Sequence, residues 1–162
     1  MSESILFDSH CESDTDKLAQ QMAGVLTSQH MIALNGQLGS GKTRFVRALC
    51  AALEIDTDQV NSPTFVLLQL YSGGRIPVAH FDTYRLADVD EFLAIGGDDF
   101  LNNGESLCLV EWADRIAEVL PADRLDVTIE QTGEHSRRFH MTATGPQSSV
   151  VTRHLQAAIP ML

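Results

Sequence analysis

The chain has 162 residues, which suits one domain with a sizeable core. Apolar residues make up 44%, which excludes a disordered chain, and a net charge of −11 argues against a domain that grips a nucleic-acid backbone by itself. Cys11, Cys50 and Cys108 form no C-x-x-C pair, as in a reduced cytoplasmic protein, and no apolar run is long enough to cross a bilayer.

Ile5-Leu6-Phe7 is predicted as a short first strand. Ser13-Asp14-Thr15-Asp16 has the form of a helix cap, with Asp16 three residues after Ser13. Leu18, Met22, Val25 and Leu26 then share one helical face. Met31-Ile32-Ala33-Leu34-Asn35 is predicted as a buried strand. It leads into Gly36-Gln37-Leu38-Gly39-Ser40-Gly41-Lys42-Thr43, a full match to the phosphate-binding pattern G-x-x-x-x-G-K-[ST]. Glycines let such a loop curl so that its N–H groups face phosphate oxygens. A lysine there reaches the β- and γ-phosphates, and the adjacent hydroxyl is suited to Mg²⁺. Phe45, Val46, Leu49, Ala52 and Leu53 continue as a helical stripe, so the motif sits between a strand and a helix, as its chemistry requires. These residues point to a bound nucleoside triphosphate.

Asn61-Ser62-Pro63 breaks the chain before a predicted strand, Thr64 to Tyr71. Ser72-Gly73-Gly74-Arg75 is a hairpin signal, and Ile76 to Phe81 is the return strand. Asp88 to Ile95 is a short helix stopped by Gly96-Gly97, with one more turn over Asp98 to Leu101. Ser106 to Val110 is an apolar strand, and Trp112 to Val119 reads as helical. Leu125 to Glu130 and Arg138 to Thr144 form a final hairpin, and Val150 to Ile159 a closing helix. No repeat or linker divides the chain. Residues 1–162 are expected to form one α/β domain, with an uncertain extension after about residue 145.

Phosphoryl chemistry needs a metal and a group to orient the nucleophile. Asp82 follows Val78-Ala79-His80-Phe81, and Glu111 follows Leu107-Cys108-Leu109-Val110, so both are expected just past strand carboxyl ends, where open α/β sheets place ligand groups. Either carboxylate fits a Mg²⁺ shell begun by Thr43. A hydroxyl in Ser62-Pro63-Thr64 suits a γ-phosphate sensor, though a turn and strand start explains the same residues. His80 has no His or Cys at metal-ligand spacing and reads as structural. Trp112 reads as packing, and Arg137-Arg138 as a solvated basic pair, with a phosphate clamp as the alternative.

Taken together, the phosphate loop, Ser62-Pro63-Thr64-Phe65, His80-Phe81-Asp82-Thr83-Tyr84-Arg85-Leu86 and Val110-Glu111-Trp112 resemble the TsaE family, formerly called YjeE. Order and spacing agree over about three quarters of the chain. The resemblance implies a P-loop ATPase fold with parallel central strands flanked by antiparallel ones. It implies ATP and Mg²⁺ as cofactors, and a role in threonylcarbamoylation of the adenosine beside the anticodon of certain tRNAs. The implied partners are TsaB and TsaD, the latter transferring the threonylcarbamoyl group. By position, Gly39, Ser40, Gly41, Lys42 and Thr43 would hold the phosphates, and Thr43 and Glu111 the Mg²⁺. Asp82, Lys42 and Thr64 would form the catalytic set, with Asp82 near the γ-phosphate and Thr64 in a switch-like segment. Thr15 would lie near the base, and Arg137 would approach the nucleotide. Thr83 and Gln37 depart from the usual residues of the family at positions that supply no essential group.

Other classes remain in view. A small-molecule kinase usually carries an arginine-rich lid, whereas the arginines here are scattered and Asp88 to Leu101 is acidic. A guanine reader commonly shows Asn-Lys-x-Asp, which this sequence lacks. A binding module with incidental turnover stays open.

Overall fold

The computed structural model describes residues 3–61 and 67–162. The switch-like Ser62-Pro63-Thr64 and the start of the strand expected from Thr64 lie outside the described residues. In chain order the elements are β1 (Glu3–Ser9), α1 (Glu12–Ala23), β2 (Met31–Asn35), α2 (Lys42–Ala52), β3 (Leu68–Tyr71), β4 (Val78–Asp82), α3 (Val89–Ala94), α4 (Gly97–Asn102), β5 (Leu107–Glu111), a 3₁₀ segment (Ala113–Val119), β6 (Leu125–Gln131), β7 (Arg137–Ala143) and α5 (Pro146–Ala158).

The strands form a seven-stranded sheet in the order β1-β7-β6-β2-β5-β4-β3. β6, β2, β5 and β4 run parallel, while β7 pairs antiparallel with both β6 and β1 on one side and β3 pairs antiparallel with β4 on the other. The expected parallel centre with antiparallel flanks is therefore what the chain builds. The cause is legible in β2, β4 and β5, which are almost wholly buried, as strands covered on both faces must be.

Alternation along each strand separates two cores. Ile32, Leu34, Leu107 and Leu109 face α1, α2 and α5, while Met31, Ala33, Cys108 and Val110 face Phe92, Leu101 and Ile116. Phe45 of α2 meets Phe139 of β7 at 5.1 Å between ring centroids, which seats the helix after the glycine loop against the sheet. Each such fully buried side chain is worth about 1.5–3 kcal/mol against exposure. Burial also pushes the thiols of Cys50 and Cys108 up to about 12, so both behave as inert core residues.

Several boundaries differ from the sequence expectation, each for a local reason. α1 starts one residue before Ser13, with Cys11 in extended backbone as its N-cap. The reaching-back role falls to Asp14, whose carboxylate accepts from the His10 N–H at 2.9 Å. Val25 and Leu26 lie past the end of α1, although Leu26 still enters the core. The β3–β4 connection spans residues 72–77, because Tyr71 pairs with Val78. Gly96 ends α3 with φ of 76° and is the N-cap of α4, so the glycine pair starts a helix as well as stopping one. Trp112 is not helical. It takes a left-handed conformation, and the 3₁₀ segment begins after it. α5 begins at Pro146, earlier than the predicted Val150, and packs on β7, β1 and α1; Val151 and Leu155 are wholly buried in the larger core. The stretch after residue 145 is thus built into the sheet's cover.

Candidate functional site

β2 ends at Asn35, and the chain turns at once into the glycine loop. Gly36 has φ of +147°, and a Cβ there would stand 2.5 Å from the Ile129 carbonyl oxygen and 2.6 Å from Ser40 Oγ. No other residue fits that turn. Gly41, with φ of 107°, is the N-cap of α2, whose first turn carries no acidic residue. Its N-terminal N–H groups and dipole therefore face the loop with no anion of their own.

Lys42 folds back over the loop and donates from Nζ to the carbonyls of Gly36 at 2.7 Å and Gln37 at 3.0 Å. Its ammonium also lies 4.0 Å from the centroid of the Trp112 ring. Burial holds the Lys42 pKa below its ordinary value, against the opposing pull of Glu111, Asp82 and Asp114. A cation so placed gains from a further anion, because the nearby carboxylates only partly compensate its lost hydration.

Thr43 donates its hydroxyl to the Glu111 carboxylate, at 3.1 Å to Oε1 and 3.0 Å to Oε2. Two oxygen donors of this kind suit a hard cation such as Mg²⁺, whose remaining positions are usually filled by water and phosphate oxygens. Asp82 pairs with Glu111 across the parallel β4–β5 register. Its carboxylate accepts from the Tyr84 N–H at 2.9 Å, and both acids are only 3% exposed. Asp82 and Glu111 are the last residues of their strands, each strand running one residue further than the sequence reading expected. A cleft of about 410 Å³ joins Gly39, Lys42, Thr43, Asp82, Glu111 and Trp112. A second cavity of about 480 Å³ lies on the other side of the loop, against β6 and β7, and contains none of Lys42, Thr43, Asp82 or Glu111.

The remaining expected residues are placed as follows. Ser40 is buried, and its Oγ has no hydrogen-bond partner among the described residues. An orphaned buried hydroxyl in a loop of this shape fits a ligand-binding turn better than a purely structural one. Arg137 is half-buried, and its Nε donates to the Ser40 carbonyl at 2.9 Å, which ties the β6–β7 hairpin to the loop. Arg138 pairs instead with Asp8 at 2.7 Å. Thr15 is buried on α1, with its hydroxyl 2.8 Å from that of Ser9, and it lines a small cavity with Gly41, Arg44 and Arg137. Thr64 lies outside the described residues.

Three residues matter more than their sequence reading suggested. His80 is fully buried, and its Nε2 stands 2.6 Å from Glu111 Oε2. Trp112 holds φ of 59°, a sterically costly conformation for a bulky residue. Thr83, treated as an indifferent departure from the family pattern, donates its hydroxyl to the carbonyls of Glu111 at 3.0 Å and Trp112 at 2.6 Å. It clamps the backbone where the strain sits.

The fold and site define a class: an α/β domain with a mixed sheet, a glycine-rich turn between a central parallel strand and a helix, and a carboxylate of the neighbouring strand bound to the threonine that follows the lysine. The family described as "Threonylcarbamoyl adenosine biosynthesis protein TsaE" matches residues 9–139, and the chain belongs to the TsaE family. It is similar to the tRNA threonylcarbamoyladenosine biosynthesis protein TsaE of Bacillus subtilis, at 36% identity over 88% of this chain and 87% of that one. The protein of the same description in Treponema pallidum is 33% identical over 81% of this chain and 95% of its own. The crystal structure of Bacillus subtilis YdiB superposes with a TM-score of 0.76, at 27% identity over 97% of both chains. Among the described residues no helix is long and apolar enough to cross a membrane.

Proposed function

We propose that this chain is a Mg²⁺-dependent ATPase that supports N6-threonylcarbamoyladenosine formation on tRNA, acting with homologues of TsaB and TsaD in the cytoplasm. The observation that carries the reading is the contact of Thr43 with Glu111 beneath a glycine loop whose lysine is folded onto its own carbonyls. Gly39, Ser40, Gly41, Lys42 and Thr43 would cradle the phosphates by backbone N–H groups, the α2 N-terminus and the ammonium. Thr43 and Glu111 would hold the metal, which supplies charge neutralisation on the phosphates. Asp82 would orient the attacking water from the same end of the sheet. Thr15 and Arg137 would border the nucleoside, and Thr64 would sense the γ-phosphate. The names of the relatives support the tRNA role, and the net charge of −11 favours reaching the tRNA through protein partners over direct grip.

Reconstitution tests this reading. Purified TsaB and TsaD homologues, a threonylcarbamoyl donor and substrate tRNA are combined with the native chain or with Lys42→Ala. The native chain should support modification, and Lys42→Ala should lose ATP affinity, because each charge-assisted bond is worth about 1.5–3 kcal/mol. The variant should fold, since Lys42 bonds the loop and not the core. Full activity and unchanged ATP affinity in a folded Lys42→Ala chain would remove the assignment.

A further inference from the structure

Glu111 is held from two sides. On one side is the Thr43 hydroxyl. On the other a polar row runs inward along the α2-facing side of the sheet, through residues that the catalytic reading does not use. His80 approaches Glu111 Oε2 with Nε2 at 2.6 Å, and Tyr71 places its hydroxyl 2.9 Å from His80 Nδ1. The same hydroxyl reaches Gln69 Oε1 at 2.7 Å and the Asn61 carbonyl at 3.2 Å. The topology produces the row. β3 and β4 are antiparallel with Gln69 opposite His80, and β4 and β5 are parallel with Asp82 opposite Glu111. His80 is 0% exposed, Tyr71 2% and Glu111 3%, so the contacts lie away from bulk water.

The donor order follows from what each group can do. A carboxylate only accepts, so His80 Nε2 carries the hydrogen it offers to Glu111. With Nε2 committed to Glu111, the other ring nitrogen, Nδ1, faces the Tyr71 hydroxyl. Burial pushes the Tyr71 pKa up to about 12, so the phenol keeps its proton at neutral pH. The phenol has a single proton and three polar neighbours, which ties the geometry of His80 to that of Gln69 and Asn61.

We propose that His80 and Tyr71 are positioning residues for the Glu111 carboxylate. His80 takes Oε2 and fixes the rotation of the carboxylate, so that both of its oxygens stay within reach of the Thr43 hydroxyl at 3.0 and 3.1 Å; Tyr71 fixes the ring of His80. This rests on the reading of Glu111 as a Mg²⁺ partner. Outer-shell hydrogen bonds of this kind commonly change metal affinity by about 10–100-fold.

The test is calorimetric binding of ADP and of a non-hydrolysable ATP analogue, each with MgCl₂ and with EDTA, together with thermal melting. Glutamine can place its side-chain nitrogen near the Nε2 position of histidine, and asparagine near the Nδ1 position. His80→Asn should weaken the Mg²⁺-dependent part of the affinity by about tenfold, leave affinity in EDTA within about twofold, and be rescued by His80→Gln. Tyr71→Phe keeps the ring and should weaken the same Mg²⁺-dependent part by about threefold, so it carries the test where a His80 variant does not fold. A native Mg²⁺ response that the folded variants retain in full overturns the positioning role alone. Equal losses with and without Mg²⁺ also overturn it, because they assign His80 to loop stability. A native chain whose nucleotide affinity ignores Mg²⁺ overturns the metal reading of Glu111, and the positioning role falls with it.

Discussion

Glu111 and Asp82 look alike in sequence, yet their surroundings separate them. Glu111 touches Thr43 and His80, whereas Asp82 accepts from the Tyr84 N–H in the turn that follows β4. Glu111→Gln should therefore reduce Mg²⁺-dependent ATP hydrolysis more than it reduces metal-free ADP binding. Asp82→Asn should lower turnover with a smaller change in Mg²⁺ dependence; the opposite pattern in a steady-state Mg²⁺ titration would exchange the two roles. Thr83 makes a second prediction at this scale. Its hydroxyl holds the Glu111 and Trp112 carbonyls in a buried turn. Thr83→Val keeps the volume and removes that donor, while the Glu111 carbonyl keeps the Thr83 N–H and the Trp112 carbonyl the Arg115 N–H, so the cost measured by urea denaturation should be about 0.5–1.5 kcal/mol. A change below about 0.5 kcal/mol would mean that the strained Trp112 backbone is held by other contacts.

Among the elements, the strand–loop–helix from Met31 to Ala52 was the most legible, because one short motif fixes both its conformation and its neighbours. Its expected strand, Met31 to Asn35, has the observed limits. Helix starts were less legible. The Ser13 pattern resembles a cap, but the backbone turns at Cys11, and Asp14 reaches back to His10 instead. The contact of His80 with Glu111 could not be read at all from spacing. The residues are 31 apart in sequence and meet only because β4 and β5 lie side by side in parallel register. The contact of Arg137 with the Ser40 carbonyl is hidden from spacing for the same reason, since the two residues are 97 positions apart.

The start of α5 shows a related case and carries a pH prediction. Gly145, its N-cap, has no side chain, and Asp123 from the loop before β6 supplies the missing acceptor. Its carboxylate takes the Gln147 N–H at 2.7 Å, the Ser148 N–H at 3.0 Å and the Ser148 hydroxyl at 2.7 Å. Partial burial pushes the Asp123 pKa up, but these bonds from Ser148 and Gln147 outweigh it and hold the group below its ordinary 3.8. With the folded value below the unfolded one, the unfolded chain binds more protons between them, so stability rises with pH through that window. The contribution is complete above about pH 4–5 and is lost as pH falls through the folded value. Asp123→Ala should cost about 1 kcal/mol at neutral pH, as cap removal does. In denaturation at a series of pH values, the gap from the native chain should stay constant above pH 5 and narrow below about 3.8. A gap independent of pH would mean that the charge of Asp123 contributes nothing to the cap.

At the scale of the whole molecule, the chain joins a candidate nucleotide cleft to a strongly acidic surface. Twenty-two acidic residues stand against eleven basic ones, and the paired acids Asp82 and Glu111 line the cleft that also holds Lys42 and Thr43. A domain of this kind is suited to reporting its nucleotide state to another protein. Turnover by the isolated chain should be slow if the partner completes the site, since a supplied arginine can be worth about 10³–10⁵ in rate. By linkage, any preference of the partner for one nucleotide state must tighten that nucleotide by the same factor. The most direct measurement is the affinity of a purified TsaB–TsaD pair for this chain when empty, with ADP and Mg²⁺, and with a non-hydrolysable ATP analogue and Mg²⁺. The account predicts the tightest complex with the ATP analogue and a matching gain in analogue affinity when the pair is present. Equal affinity in all three states would contradict it.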